Sequence, residues 1–126
     1  NSELCFNTWN QFVIKVKNEN FSISKNYLEI FETDLIKNKT PRNFLKSELE
    51  KIGINSIIYY PIPIHAQLAY KEKVIDKDFL LNTEQICTEV LSLPMFPEIT
   101  FEEQLYISEN LNSILKKYDQ IAQISA

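Results

Sequence analysis

Apolar and polar side chains alternate near the start of the chain. Phe12, Ile14 and Val16 fall on one face of an extended segment, with Val13, Lys15 and Lys17 on the other. A period of two predicts a strand over 9–17, followed by a polar turn at 18–22. The period then changes to that of a helix. Ser24 is placed to cap it, Tyr27, Leu28, Phe31 and Leu35 share one side, and the pattern runs to about 37. Thr40 followed by Pro41 reads as an N-cap with proline at the first helical position. Leu45, Leu49 and Ile52 continue that helix to Gly53, placed where a helix ends in a left-handed residue. The β-branched and aromatic run from Ile54 to Tyr60 predicts a second strand, stopped by Pro61. Residues 61–81 read as irregular or only briefly helical. A helix capped by Asn82 or Thr83 to about 91, a short buried strand over 90–95, and a last helix opened by a Thr100–Glu103 capping box complete the chain. Ile107, Leu111, Ile114, Leu115 and Tyr118 form the stripe of that last helix, which is expected to fray after Tyr118.

This order predicts an α+β fold: a small sheet of about three strands, with helices packed mainly on one face. The 126 residues suffice for one domain with a core, over 1–126, and not for two. Internal repeats and low-complexity segments are absent from the sequence. No apolar run approaches the ~20 residues of a membrane helix. The N-terminus has no signal-peptide pattern, and Asn1 in place of Met reads as a cut or processed segment.

Composition narrows the chemistry. Net charge is -4 with scattered basic residues, which argues against nucleic-acid binding. Cys5 and Cys87 lie far apart, and His65 is the only histidine, so a zinc site has too few soft ligands. Two reduced thiols in a cytoplasmic compartment are the simple reading, with a disulfide left open. Gly53 is the only glycine. A loop that wraps phosphate with backbone N–H groups needs more, so neither a dinucleotide fingerprint nor a triphosphate loop is present.

Two strings with paired prolines stand out: Tyr59-Tyr-Pro-Ile-Pro-Ile-His65 and Leu91-Ser-Leu-Pro-Met-Phe-Pro97. Each proline removes a donor and fixes a torsion, so both strings read as rigid irregular segments built into a core. With Trp9-Asn-Gln-Phe-Val-Ile-Lys-Val16, the Arg42–Ile54 helix ending in Gly-Ile, Tyr60–Tyr70 and Thr83–Thr100, they resemble, in order, the C-terminal small domain of the DegT/DnrJ/EryC1/StrS aminotransferases. The resemblance implies the small domain of a fold type I enzyme that uses pyridoxal phosphate (PLP) and acts on nucleotide-linked keto-sugars. Departures are Tyr59 in place of a histidine, Leu80-Leu81 in place of Phe-Pro, and a helical insertion over 19–39.

That resemblance points to substrate-binding residues: His65, Tyr60, Tyr59 and Gln67. His65 either faces the ligand or ties its own turn by bonding nearby carbonyls. Tyr59 and Tyr60 alternate, so at most one points to the site, and each has a core role as its alternative. Gln67 meets either substrate or backbone. Lys15 aligns with a basic family position but reads as a solvated strand residue. Met95, Phe96 and Trp9 read as core, and Cys87 as a small buried hydrophobe. No catalytic residue is assigned, because the family's Schiff-base lysine, the carboxylate for the pyridine nitrogen and the phosphate donors lie in a large domain that has no counterpart here. The expectation is a domain inactive alone, holding no PLP itself, whose partners are that large domain, a nucleotide-sugar and a second copy of the chain. The alternative is a stand-alone, non-catalytic binding protein built on the same domain.

Overall fold

The computed structural model describes residues 10–17, 40–70 and 80–124, with 119–124 described by backbone alone. Five regular elements follow in order: β1 Phe12–Lys15, α1 Pro41–Lys51, α2 Leu81–Glu89, β2 Val90–Leu93 and α3 Phe101–Ile124. The expected helix at 24–37, the 19–39 insertion, Trp9 and Cys5 lie outside the described residues.

β1 and β2 pair antiparallel, with Phe12 opposite Leu93 and Lys15 opposite Val90. The Val16 N–H donates to the Glu89 carbonyl at 2.8 Å and carries the pairing one step further. The third strand expected over 54–60 is reduced to one residue. Ile57 exchanges both backbone bonds with Ser92, at 3.0 and 2.8 Å, on the side of β2 away from β1. The reason lies at both ends of the segment. The Ile54 N–H is already spent on the Leu49 carbonyl at 2.9 Å, and Pro61 has no N–H to give.

α1 shows how local sequence fixes a helix. The Thr40 hydroxyl accepts from the Asn43 N–H at 3.2 Å, and proline occupies the first turn. At the other end Gly53 adopts φ 81°. Its N–H donates to Glu50 and that of Ile54 to Leu49, closing the helix as a Schellman motif. Leu49 and Ile54 thereby enter the core together. Leu45, Leu49 and Leu91 are fully buried, joined by Val16 and Ile114, with Ile107, Leu111 and Leu115 of α3 packed against them. The last-helix stripe is thus as expected, but the helix continues through Ile124 instead of fraying at Tyr118. The Tyr118 ring meets that of Phe44, centroids 5.1 Å apart.

α2 begins earlier than expected. Leu80 stands at its N-cap without a side-chain cap, so neither Asn82 nor Thr83 opens it. β2 stops at Leu93, before Pro94. Met95 and Phe96, expected in the core, are exposed, because no described residue closes over them. The second proline string therefore starts in the core at Leu91 and Ser92 and runs out to the surface by Met95.

Two outcomes follow. An added Cβ at Gly53 meets no atom within 4 Å, so Gly53→Ala suffers only from its left-handed backbone. Denaturant melts should show a loss of about 1–2 kcal/mol. At the start of α3, the Thr100 N–H and hydroxyl both donate to Glu103, at 2.8 and 2.9 Å, and hold its carboxyl below its ordinary 4.5. A folded value below the unfolded one gives stability that is present above pH 4.5 and lost as pH falls through the lowered value. Glu103→Gln should flatten that part of the stability–pH curve.

Candidate functional site

The Tyr59–Tyr70 segment is shaped by two tight turns. Pro63 precedes a 3-10 turn over Ile64–Ala66, closed by Ala66 N–H to Pro63 and Gln67 N–H to Ile64. A second turn, Leu68–Tyr70, is closed by Tyr70 N–H to Gln67. These turns send His65 inward, to 9% exposure, and leave Ile64 and Leu68 outside.

His65 meets Glu84 in the first turn of α2. Its Nε2 lies 2.9 Å from Glu84 Oε1. With Glu84 as the acceptor, the hydrogen sits on Nε2. Glu84 is 1% exposed, and its Oε2 has no hydrogen-bond partner. Tyr59 and Tyr60 both face solvent, Tyr60 at 71%, with their rings edge to face at 5.6 Å. Neither is a core aromatic. Gln67 is exposed as well. The first proline string is therefore mixed: Pro63 and His65 are buried, while the tyrosines form an outward face.

Three buried charges in this region carry no role in the sequence reading. Glu84 is one. Glu89, 1% exposed, accepts from Gln85 at 3.0 Å and pairs with Lys15 at 3.0 Å, so Lys15 is an ion-pair partner instead of a merely solvated lysine. Arg42, in the first turn of α1, sends Nη1 to the carbonyls of Cys87 and Val90, at 3.1 and 3.2 Å, and Nε to Asn43. Burial lowers its pKa to about 10, with Cys87 pulling the other way, and the guanidinium stays charged at neutral pH. Burial pushes the Cys87 thiol up, opposed by Arg42 and aided by Glu84. That half-buried thiol is an unreactive neutral group at neutral pH. A faint signal for Arg42 is present in the sequence. A cation in a helix's first turn opposes the helix dipole and needs carbonyl partners from elsewhere.

Of the hollows around the sheet, two bear on the site. The larger, about 570 Å³, is apolar and lies between the sheet and α3, among Phe12, Ile14, Met95, Phe96, Ile107 and Leu111. The smaller, about 340 Å³, is lined by Asn10, Gln11, Asn55, Tyr59 and Ser92, all neutral. Lys15, Lys46, Lys51 and Lys117 each pair with a surface-accessible or buried glutamate and line neither hollow. Among the described residues no helix is long and apolar enough to cross a membrane.

The sequence profile of the DegT/DnrJ/EryC1/StrS aminotransferase family matches residues 8–112. The chain belongs to this family. A pleiotropic regulatory protein of Geobacillus stearothermophilus is 34% identical over 77 residues, 61% of this chain and 21% of that protein. The dTDP-3-amino-3,4,6-trideoxy-alpha-D-glucose transaminase of Streptomyces venezuelae is 29% identical over 79 residues, 63% of this chain and 21% of its own. A UDP-N-acetyl-3-dehydro-alpha-D-glucosamine 3-aminotransferase of Acidithiobacillus ferrooxidans is 42% identical over 64 residues, 51% of this chain and 16% of its own. Among solved structures, S. venezuelae DesV in complex with a ketimine intermediate superposes with TM-score 0.56 at 28% identity, over 60% of this chain and 20% of that one. The aligned part is thus about a fifth of these family members, and the α+β fold is that of an aminotransferase domain.

The apolar hollow has a consequence in solution. An uncovered surface of this kind drives association, so light scattering should show the chain self-associating as concentration rises. Phe96→Lys should shift it toward monomer. A monodisperse wild-type monomer at high concentration would contradict this.

Proposed function

We propose that the chain is the C-terminal small domain of a PLP-dependent aminotransferase acting on nucleotide-linked keto-sugars, without catalysis of its own. The observation that carries this is the family match over residues 8–112 in a chain that aligns with only about a fifth of its transaminase relatives. In this reading the Schiff-base lysine belongs to a large domain. PLP would be held there. In this reading the outward face of the 59–70 segment, with Tyr59, Tyr60 and Gln67 beside the buried His65, is turned toward the nucleotide-sugar. The assembled enzyme is cytoplasmic and homo-oligomeric.

A second reading, a non-catalytic binding protein built on the same domain, is favoured by the open apolar hollow, which offers a partner surface without any catalytic group.

Sequencing the native transcript upstream of the Asn1 codon separates the two. An in-frame large domain with a Schiff-base lysine supports the aminotransferase, and a start codon just upstream supports the binding protein. In the assembled enzyme, Tyr60→Ala should raise KM for the nucleotide-sugar about tenfold, equivalent to about 1.4 kcal/mol, with little change in kcat. An unchanged KM would remove Tyr60 from the site.

A further inference from the structure

We propose that Glu84 is the positioning residue of the candidate site. Through the His65 ring it fixes how the 59–70 segment lies against α2, and so where Tyr59, Tyr60 and Gln67 stand. The importance of those three positions rests on the aminotransferase reading above, whereas the tie itself does not.

The geometry separates shape from placement. The backbone bonds Ala66 to Pro63, Gln67 to Ile64 and Tyr70 to Gln67 all close within the segment. They give the two turns their form and say nothing about where the turns sit. Ile64 and Leu68 face outward, and the buried Pro63 beside His65 packs without any polar group to set a direction. The bond from His65 Nε2 to Glu84 Oε1, 2.9 Å long and buried, crosses from segment to helix.

The acceptor is poorly replaceable. Glu84 Oε2 is buried without a partner. A glutamine that kept its oxygen toward His65 would put an NH2 group in that place, with a buried donor unanswered. Turned the other way, it would set two donors face to face. An aspartate would withdraw the acceptor by one carbon–carbon bond, about 1.5 Å. Only glutamate meets both reach and polarity. On α2, Glu84 also acts on Cys87, whose thiol it helps hold neutral.

The chain's single histidine makes the test direct. In the 15N-labelled 126-residue protein, long-range proton–nitrogen spectra should place the ring hydrogen of His65 on Nε2, in a signal that exchanges slowly with solvent. Glu84→Gln should keep the signal with at least about tenfold faster exchange, the size expected for a weakened charge-assisted bond. Glu84→Ala should abolish it and shift backbone amides across 59–70, leaving those of α1 and α3 in place. A wild-type hydrogen on Nδ1, or a 59–70 amide pattern unchanged in Glu84→Ala, overturns the proposal. The wild-type measurement stands even if Glu84→Ala fails to fold. A separate titration with UDP-N-acetylglucosamine tests the other layer. If the wild-type enzyme's Tyr59, Tyr60 and Gln67 amides do not respond while the ring signal is intact, the ligand-facing reading fails and the tie survives.

Discussion

The guanidinium of Arg42 holds together the corner on which the other elements depend. α2 passes into β2 without a loop, Glu89 being the last helical residue and Val90 the first of the strand. A helix ending this way leaves carbonyls without partners inside a packed region. Arg42 answers two of them, on Cys87 and Val90, from the start of α1. Bonds to a charged donor of this kind contribute about 1.5–3 kcal/mol each. The same contact ties α1 to the junction of α2 and β2. A lysine has no planar guanidinium to aim one nitrogen at both carbonyls while a second holds Asn43.

From that corner the buried acids radiate in opposite directions. Glu89 holds Lys15 of the neighbouring strand, and Glu84 holds His65 of the irregular segment. An acid in the last turn of a helix opposes the dipole, and at Glu89 the Lys15 and Gln85 donors offset it. Glu84, in the first turn, sits at the favourable end. The polar interior of this small domain is thus a set of directed ties between elements, while the apolar core around Leu45, Leu49 and Leu91 supplies the bulk of the burial.

What could be read from the sequence was local. The Thr40–Pro41 start, the Gly53 stop and the Thr100–Glu103 box are each determined within a few residues, and each appears as expected. The apolar stripe of α3 is likewise a matter of periodicity. One local reading failed, the cap of α2, where Leu80 stands in place of Asn82 or Thr83; the larger failures are non-local. Ile54–Tyr60 has the composition of a strand, but its first N–H is taken by a helix end and only Ile57 finds a partner. Met95 and Phe96 have core chemistry with nothing described to cover them. At the candidate site, His65 stood out as the only histidine, but its partner lies nineteen positions away in a helix turn where glutamate is unremarkable. Arg42, Glu84 and Glu89 look like surface charges until the fold buries them.

α2 itself has nine residues, no side-chain cap and weak amphipathic character. Isolated helices shorter than about 12–15 residues do not sustain themselves in water. Its anchors come from residue 15, residue 42 and residue 65, so they are gathered from far along the chain. The search for those contacts carries a loop-closure entropy that local turns avoid. α2 is therefore a helix made by its neighbours.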